Sequence, residues 1–274
     1  MKNLSSQKLL VVCLLIVIMF SLQRCSQLIE DHPCCKPEQA AVKTAEKNLE
    51  DANKQLNTFI NLLNEDVPKL NQRMSNLNNN LRFFLNGLNT PASRSLLQTF
   101  IDRFQEDLGH VNNHITFIFQ SIELRWSRKE ALNAANVNYV ACVKANCIPR
   151  DTCCPAEKKA EHAAQLALEL QDFKIADYDM LLSLLQPVQN NAQAQTDVAI
   201  ATLAEKCPPG TLVGSCFIAS TVVNMYKSHL ASITSTINGV KKAKEQHVTQ
   251  RAILELDYNL KKQIRLNCEL VCPK

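Results

Sequence analysis

The sequence CCKPE at residues 34–38 returns as CCPAE at residues 153–157, and this repeated cysteine pair decides the organisation of the chain. Downstream of both pairs the same residue classes recur at the same offsets, including an internal proline, Pro68 in the first copy and Pro187 in the second. The matching apolar positions are Ala41, Ala45, Leu49, Leu56, Phe59 and Leu63 in the first copy and Ala160, Ala164, Leu168, Ile175, Tyr178 and Leu182 in the second. Self-similarity at a fixed spacing indicates a tandem duplication.

The first unit has the apolar spacing of two long helices. Apolar residues recur at intervals of three and four from residue 42 to residue 88, and again from residue 97 to residue 122 and from residue 132 to residue 142. This spacing is typical of coiled-coil and bundle helices. Between the two runs, Thr90 is expected to cap a helix that begins at Pro91. Because two long helices joined by a short turn must lie antiparallel, the unit is predicted to be a helical hairpin.

The second unit repeats this plan, so the predicted fold is all-α. It consists of two tandem long antiparallel helical hairpins, coiled-coil-like, that form an elongated, disulfide-stapled four-helix bundle. The last helix is expected to pack on its partner through an apolar stripe that ends with Ile253, Leu256, Leu260 and Ile264. Residues 157–206 carry four lysines and eight acids, whereas residues 217–274 carry nine basic residues and four acids, so the facing helices should attract each other. The internal prolines are expected to kink both ascending helices at the same height.

The N-terminal segment is expected to direct export. Lys2 and Lys8 precede an apolar run at residues 9–22, which has the length of a signal-peptide core and is short for a membrane span. We predict a signal peptide over residues 1–26, the first hairpin over 27–150 and the second over 151–274. The protein is then secreted. The alternative is an uncleaved signal anchor at the membrane with a lumenal or extracellular ectodomain.

Without the leader the chain retains ten cysteines, an even number that favours disulfides. Zinc sites usually bring a C-x2-C knuckle, which these adjacent pairs do not form. Both hairpins begin and end at one pole, so each opening pair is expected to bond the closing pair of its own hairpin. The expected partners are Cys34 and Cys35 with Cys142 and Cys147, Cys153 and Cys154 with Cys268 and Cys272, and Cys207 with Cys216 at the far pole. The pairing within each set stays open, and a crossed bond from Cys147 to Cys153 or Cys154 is the alternative.

Composition argues against several function classes. The net charge of +4 comes mostly from the leader, because residues 27–274 hold 27 basic and 26 acidic side chains. The chain without the leader therefore lacks the excess of positive charge that nucleic-acid binding normally requires. The sequence has no glycine-rich phosphate loop and no G-x-S-x-G elbow, and the even cysteine count disfavours a catalytic thiol. We expect no cofactor, no nucleic-acid partner and no enzymatic activity.

One set of residues has the spacing of metal ligands. Glu106, His110 and His114 recur every four residues and so share one helical face. The metalloprotease motif requires a glutamate directly after the first histidine, and Val111 occupies that position. These residues are more simply interpreted as solvated neighbours of the apolar stripe. His229, close to the stripe of the last helix, is expected to be a packed histidine.

The tip of the first hairpin carries more apolar surface than a two-helix seam needs. The residues concerned are Phe83, Phe84, Leu85, Leu97, Phe100 and Phe104. They either pack against the second hairpin or contact a partner. The sequence thus favours a secreted or surface-displayed interaction or structural protein with an unidentified protein partner. The alternative is an extracellular carrier of an apolar ligand or lipid, for which the alanine-rich residues 192–204 would leave room between the helices. Membrane contact is expected only if the signal segment is retained.

Overall fold

The computed structural model describes residues 33–86, 90–147, 153–207 and 214–272, so the predicted signal segment lies outside the described residues. After a 3-10 turn at Pro33–Cys35, the helices are α1 at Lys36–Leu85, α2 at Pro91–Asn146, α3 at Pro155–Lys206 and α4 at Ser215–Leu270. They contain 50, 56, 52 and 56 residues, which corresponds to rods of roughly 75–85 Å. α1 packs on α2 and α3 on α4, and the described ranges contain no strand. The all-α prediction of two stapled hairpins is confirmed.

The helix starts follow from local sequence. The Thr90 side chain accepts a hydrogen bond from the backbone N–H of Ser93 at 3.2 Å, and the Ser93 hydroxyl accepts one from the N–H of Thr90 at 2.8 Å. This reciprocal cap satisfies two amide groups that lack partners within the helix, as predicted for α2. Pro37 and Pro155 occupy the first turns of α1 and α3, where a missing N–H costs nothing.

The two internal prolines lie at the same height, as the duplication predicts. Pro68 and Pro187 both line a cavity of about 190 Å³ between α1 and α3. Both helices continue through their proline without a break in helical structure. The shared height is confirmed, and the kink itself stays a prediction.

All four helices contribute to one main hydrophobic core. Its largest buried side chains include Met74 from α1, Phe104 from α2, Leu185 from α3 and Tyr226 from α4. A smaller cluster lies at the cysteine end of the first hairpin, where Cys35, Val42, Ala45, Leu49, Leu132 and Tyr139 are buried together. In α4, by contrast, the last buried residue is Val240. The cysteine end of the second hairpin is therefore held together differently.

At that end of the second hairpin, α3 and α4 are joined by ion pairs where the first hairpin has apolar contacts. Lys244 pairs with Asp179 at 2.5 Å, Arg251 with Asp172 at 2.5 Å, and Arg265 with Glu161. Each pair joins a base on α4 to an acid on α3. The complementary charge of the two helices, predicted from the sequence, thus produces ion pairs between them along this stretch.

The expected packing of Ile253, Leu256, Leu260 and Ile264 against α3 is wrong. These side chains are 55, 71, 61 and 48 % exposed. The reason is helical phase: the thirteen-residue step from Val240 to Ile253 turns the helix by about 220° relative to the stripe that precedes it. The side of α4 that faces α3 is instead formed by residues such as Lys244 and Arg251, which make the ion pairs with that helix.

The two hairpins are joined by polar contacts as well as by the core. The Asn78 amide of α1 donates to the side-chain oxygen of Gln195 of α3 at 2.8 Å. The Asn133 amide of α2 donates to the backbone carbonyl of Leu166 of α3 at 2.8 Å. α3 therefore makes polar contacts with both helices of the first hairpin.

Candidate functional site

The ten predicted cysteines form five disulfides. The bonds are Cys34–Cys147, Cys35–Cys142, Cys153–Cys272, Cys154–Cys268 and Cys207–Cys216. Each hairpin is stapled to itself, so the separate arrangement is confirmed and the crossed bond is wrong. The nesting, which the sequence left open, follows from antiparallel geometry: the first cysteine of a pair reaches the last cysteine of its hairpin. Five disulfides are typical of proteins in an oxidising compartment.

The predicted metal ligands are not brought together. Glu106 and His110 are exposed on α2, whereas His114 turns towards α1, with its Nδ1 3.2 Å from Oδ2 of Asp66. Within the described ranges, the groups with three ligand atoms close enough for one ion all contain disulfide-bonded cysteines, in two cases with Glu38 or Glu157.

Most of the apolar tip of the first hairpin is used for packing. Phe84, Leu97 and Phe104 are buried in the main core, and Leu85 and Phe100 pack against its edge. Phe83, near the end of α1, is 63 % exposed, and Leu96, near the start of α2, is 52 % exposed. Partner binding at the tip stays a prediction that would depend on these two exposed side chains.

An apolar cleft lies where α2, α3 and α4 meet. It has a volume of about 290 Å³. Its walls are formed by Phe119, Ile122, Trp126, Tyr178, Leu181 and Val240, with Glu123, Thr236, Gly239 and Ala243 at its edges. A Cβ added at Gly239 would meet no atom within 4 Å, so this position faces open space. None of these lining residues belongs to the alanine-rich stretch, in which Ala192 and Ala199 are themselves buried.

A buried charged pair supports one wall of the cleft. The Trp126 indole N–H donates to Oδ2 of Asp177 at 2.8 Å, and Arg125 pairs with the other carboxylate oxygen. Burial raises the pKa of Asp177 to about 6, against the opposing effect of Arg125. The carboxylate therefore holds the indole in place, and its two oxygens are both occupied.

The rings around the cleft contact one another. Trp126 meets Tyr178 edge to face, with centroids 5.3 Å apart, and His247 lies 5.3 Å from Tyr178. His247 Nδ1 is 2.7 Å from the side-chain oxygen of Gln171. Burial, reinforced by Lys174, lowers the pKa of His247. Chemically, this arrangement suits the binding of a small apolar molecule against aromatic faces.

The largest apolar surface of the second hairpin is the side of α4 that sequence reasoning assigned to the core. We define the outer face as the uncharged side of α4 between residues 248 and 271. It presents eight large apolar side chains between 39 and 83 % exposed: Val248, Ile253, Leu256, Leu260, Ile264, Leu266, Leu270 and Val271. The step of thirteen residues after Val240, which does not fit a heptad repeat, was the signal that would have revealed it.

No family model matches this chain, and neither the curated proteins nor the solved structures searched contain a match. The fold and its surfaces therefore define the class directly: an all-α, disulfide-rich protein built from two helical hairpins. None of the helices in the described ranges is long and apolar enough to cross a bilayer.

Proposed function

We propose that this is an exported, non-enzymatic interaction protein, a stapled helical rod that binds a protein partner through the outer face of α4. The observation that carries the proposal is the exposure of eight large apolar side chains on one helix. Contiguous exposed apolar surface of this extent marks interaction sites in soluble proteins. The five disulfides, which suit an extracellular rod, support export.

A photo-crosslinking experiment tests this proposal. A photoreactive residue is placed at position 260 in the outer face and, as a matched control, at position 227, where Lys227 is exposed on the same helix. We expect position 260 to yield a protein adduct of defined mass in the native extracellular medium and position 227 to yield none. Equal labelling at the two positions, or none at either, would contradict the proposal.

A second candidate function is carriage of a small apolar ligand in the cleft beside Trp126. The supporting observation is a cleft of about 290 Å³ lined by aromatic and aliphatic side chains, near the lower end of ligand-site volumes. Trp126 is the single tryptophan of the chain, so its fluorescence reports on this site alone.

A substitution that fills the cleft tests ligand carriage independently of partner binding by the outer face. Gly239→Leu places a side chain in the open space and removes a helix-interior glycine, so the fold should tolerate it. Gly109→Leu is the matched control, because Gly109 is also helical with no atom within 4 Å. Native mass spectrometry should find a copurifying apolar molecule, with altered Trp126 emission, in the parent and the control but not in Gly239→Leu. A ligand-free parent would contradict carriage.

A further inference from the structure

We propose that the outer face binds the outer face of a second copy of this chain, so that the exported protein is a two-fold symmetric dimer. This inference rests on the proposed function, because it names the partner of the same surface. It is carried by the composition of the face, by a comparison within the duplicated chain, by the charges at its edges and by its area.

The first observation is that one broad side of α4 carries no charge. Plotted at 100° per residue, the stretch 248–271 has an arc of about 160° that contains no charged residue. Besides the eight large apolar residues, this arc holds Thr249, Ala252, Asn259, Gln263 and Asn267. Every charged residue of the stretch lies on the remaining side. A helix side that faces water normally carries charged and polar residues. An uncharged, apolar arc this wide is typical of a side that is buried against another apolar surface.

The second observation comes from the first hairpin, which serves as an internal reference. Counting back from Cys142 as from Cys268, which both bond the second cysteine of their pair, the counterparts of Ile253, Leu256, Leu260 and Ile264 are found in α2. They are Ser127, Glu130, Ala134 and Asn138, all exposed. The hairpin fold therefore does not require apolar residues at these positions. Packing within the second hairpin therefore does not explain its apolar residues at these positions, and a contact with another molecule would.

The third observation is that four of the charged side chains at the edges of the face are paired with one another, while Lys262 lies 5.9 Å from the centre of the Tyr258 ring. On α4 itself, Arg251 pairs with Glu255 at 2.8 Å and Lys261 with Asp257 at 2.7 Å. Two identical faces can meet only if their edges do not repel, since a two-fold interface is self-complementary. Because these pairs are internal to each helix, they present little net charge to the same pairs of a second copy.

The area of the face also fits a dimer. At the exposures observed for its eight apolar residues, the face offers roughly 800 Å² per chain, which is what one partner contributes to a stable interface of standard size. Gln263 donates to Asn267 at 3.2 Å within the face. Uncharged amides at such a seam can pair with their symmetry mates and so fix the register of two helices.

A membrane surface fits the face less well. Helices that lie in a bilayer interface carry a strongly basic polar side and often tryptophan or phenylalanine on the apolar side. The stretch 248–272 has four basic and three acidic residues and neither of those aromatics. The apolar run of the leader, residues 9–22, is another candidate occupant within this sequence, and it is expected to be removed on export.

The test measures mass in solution. The full chain is secreted with its own leader, its N-terminus is sequenced, and its mass is measured by light scattering from about 1 to 100 µM. We expect the parent protein to have the mass of two chains. The double variant Leu256→Glu/Leu260→Glu should have the mass of one chain, because the dissociation constant of the dimer should rise at least roughly hundredfold. Val198→Glu, at an apolar residue 44 % exposed on α3, is the control and should remain dimeric. Far-UV circular dichroism verifies that each variant is folded.

Each outcome is decisive for the dimer. A monomeric parent at 100 µM, or a dimer that persists in the folded double variant, overturns the inference. A monomeric parent that crosslinks at position 260 to another protein overturns the dimer and leaves the proposed function standing. A parent that retains residues 1–26 and dimerises only after their deletion assigns the face to the leader and also overturns the dimer. A crosslink at position 260 with the mass of two chains supports it.

Discussion

Tyr226 of α4 donates its hydroxyl to the backbone carbonyl of Met74 of α1 at 2.9 Å, and this buried bond ties the last helix to the first. The tyrosine ring also meets Phe104 of α2 edge to face, with centroids 5.2 Å apart. Burial raises the pKa of Tyr226, so the hydroxyl remains a donor at any physiological pH. A hinge between the hairpins would have to break this contact.

Tyr226→Phe keeps the ring packing and removes only the hydroxyl. We expect it to lower the free energy of unfolding by about 1 kcal/mol, because one net hydrogen bond is lost while the Met74 carbonyl still accepts within its helix. Urea unfolding followed by circular dichroism measures the change. Tyr258→Phe, at a half-buried tyrosine near the end of α4, should have a smaller effect. Equal losses in the two variants would contradict a specific role for the bond.

Asp177→Ala tests the buried pair that supports the cleft. The substitution leaves the Arg125 guanidinium buried without its counter-charge, which typically costs about 3–5 kcal/mol. Asp179→Ala is the matched control, because Asp179 is 55 % exposed in its pair with Lys244 and such surface pairs contribute about 0–1 kcal/mol. Unfolding free energies measured in urea give the comparison. Losses of similar size in the two variants would show that the pair is not desolvated.

Acid should weaken the fold through His229. This residue is 4 % exposed, neither of its ring nitrogens has a hydrogen-bond partner among the described residues, and burial lowers its pKa from 6.5 to about 4. As the pH falls from 6.5 towards 4, the imidazole of His229 becomes protonated in the unfolded chain but stays neutral in the folded protein. Stability therefore falls over this window, by up to about 3 kcal/mol.

The measurement compares the parent with His229→Leu in urea at several pH values from 7 to 4. The difference in unfolding free energy should shift in favour of the variant as the pH falls. Asp177 acts in the opposite direction, because burial raises its pKa, but its contribution is common to both proteins and cancels. A difference that does not depend on pH would disprove the assignment.

The paired disulfides at the cysteine pole should be strongly non-additive. Cys34–Cys147 and Cys35–Cys142 close nearly the same loop, with separations of 113 and 107 residues. Removing one bond leaves that loop closed and opens only the circuit of about six residues between the two staples, so we expect a loss of about 2 kcal/mol. Removing both opens the long loop as well and costs about 7 kcal/mol in chain entropy. The isolated Cys207–Cys216 bond spans 9 residues, and its removal should cost about 2.6 kcal/mol.

Cysteine-to-alanine variants, made in pairs so that no free thiol remains, provide this comparison by urea unfolding. Peptide mapping without reduction verifies the remaining bonds. If the losses for Cys34–Cys147 and Cys35–Cys142 simply add, the argument that both disulfides close the same loop is contradicted.

Much of the architecture could be predicted because its signals are local. The heptad spacing, the Thr90–Pro91 start and the matched prolines each act within a few turns of helix, where backbone geometry alone dictates the outcome. The disulfide partners followed from topology, since antiparallel helices of equal length return their ends to one pole. The cleft beside Trp126 could not be predicted, because its walls come from three helices whose rotation about their axes is set by mutual packing.

The sequence by itself determined the helices, the duplication and which cysteines share a pole, because these depend on periodicity and chain order. Only the tertiary structure decided which side of α4 meets α3. Beyond Val240 the apolar residues and the charged residues offer two competing sides for that contact. The buried stripe that ends at Val240 fixes the rotation of the continuous helix, so beyond it the charged side faces α3, where Arg251 and Arg265 pair with Asp172 and Glu161. The thirteen-residue step to Ile253 marks the change of side in the sequence, but only the packing of the upstream stripe against the other helices decides which side is turned outward.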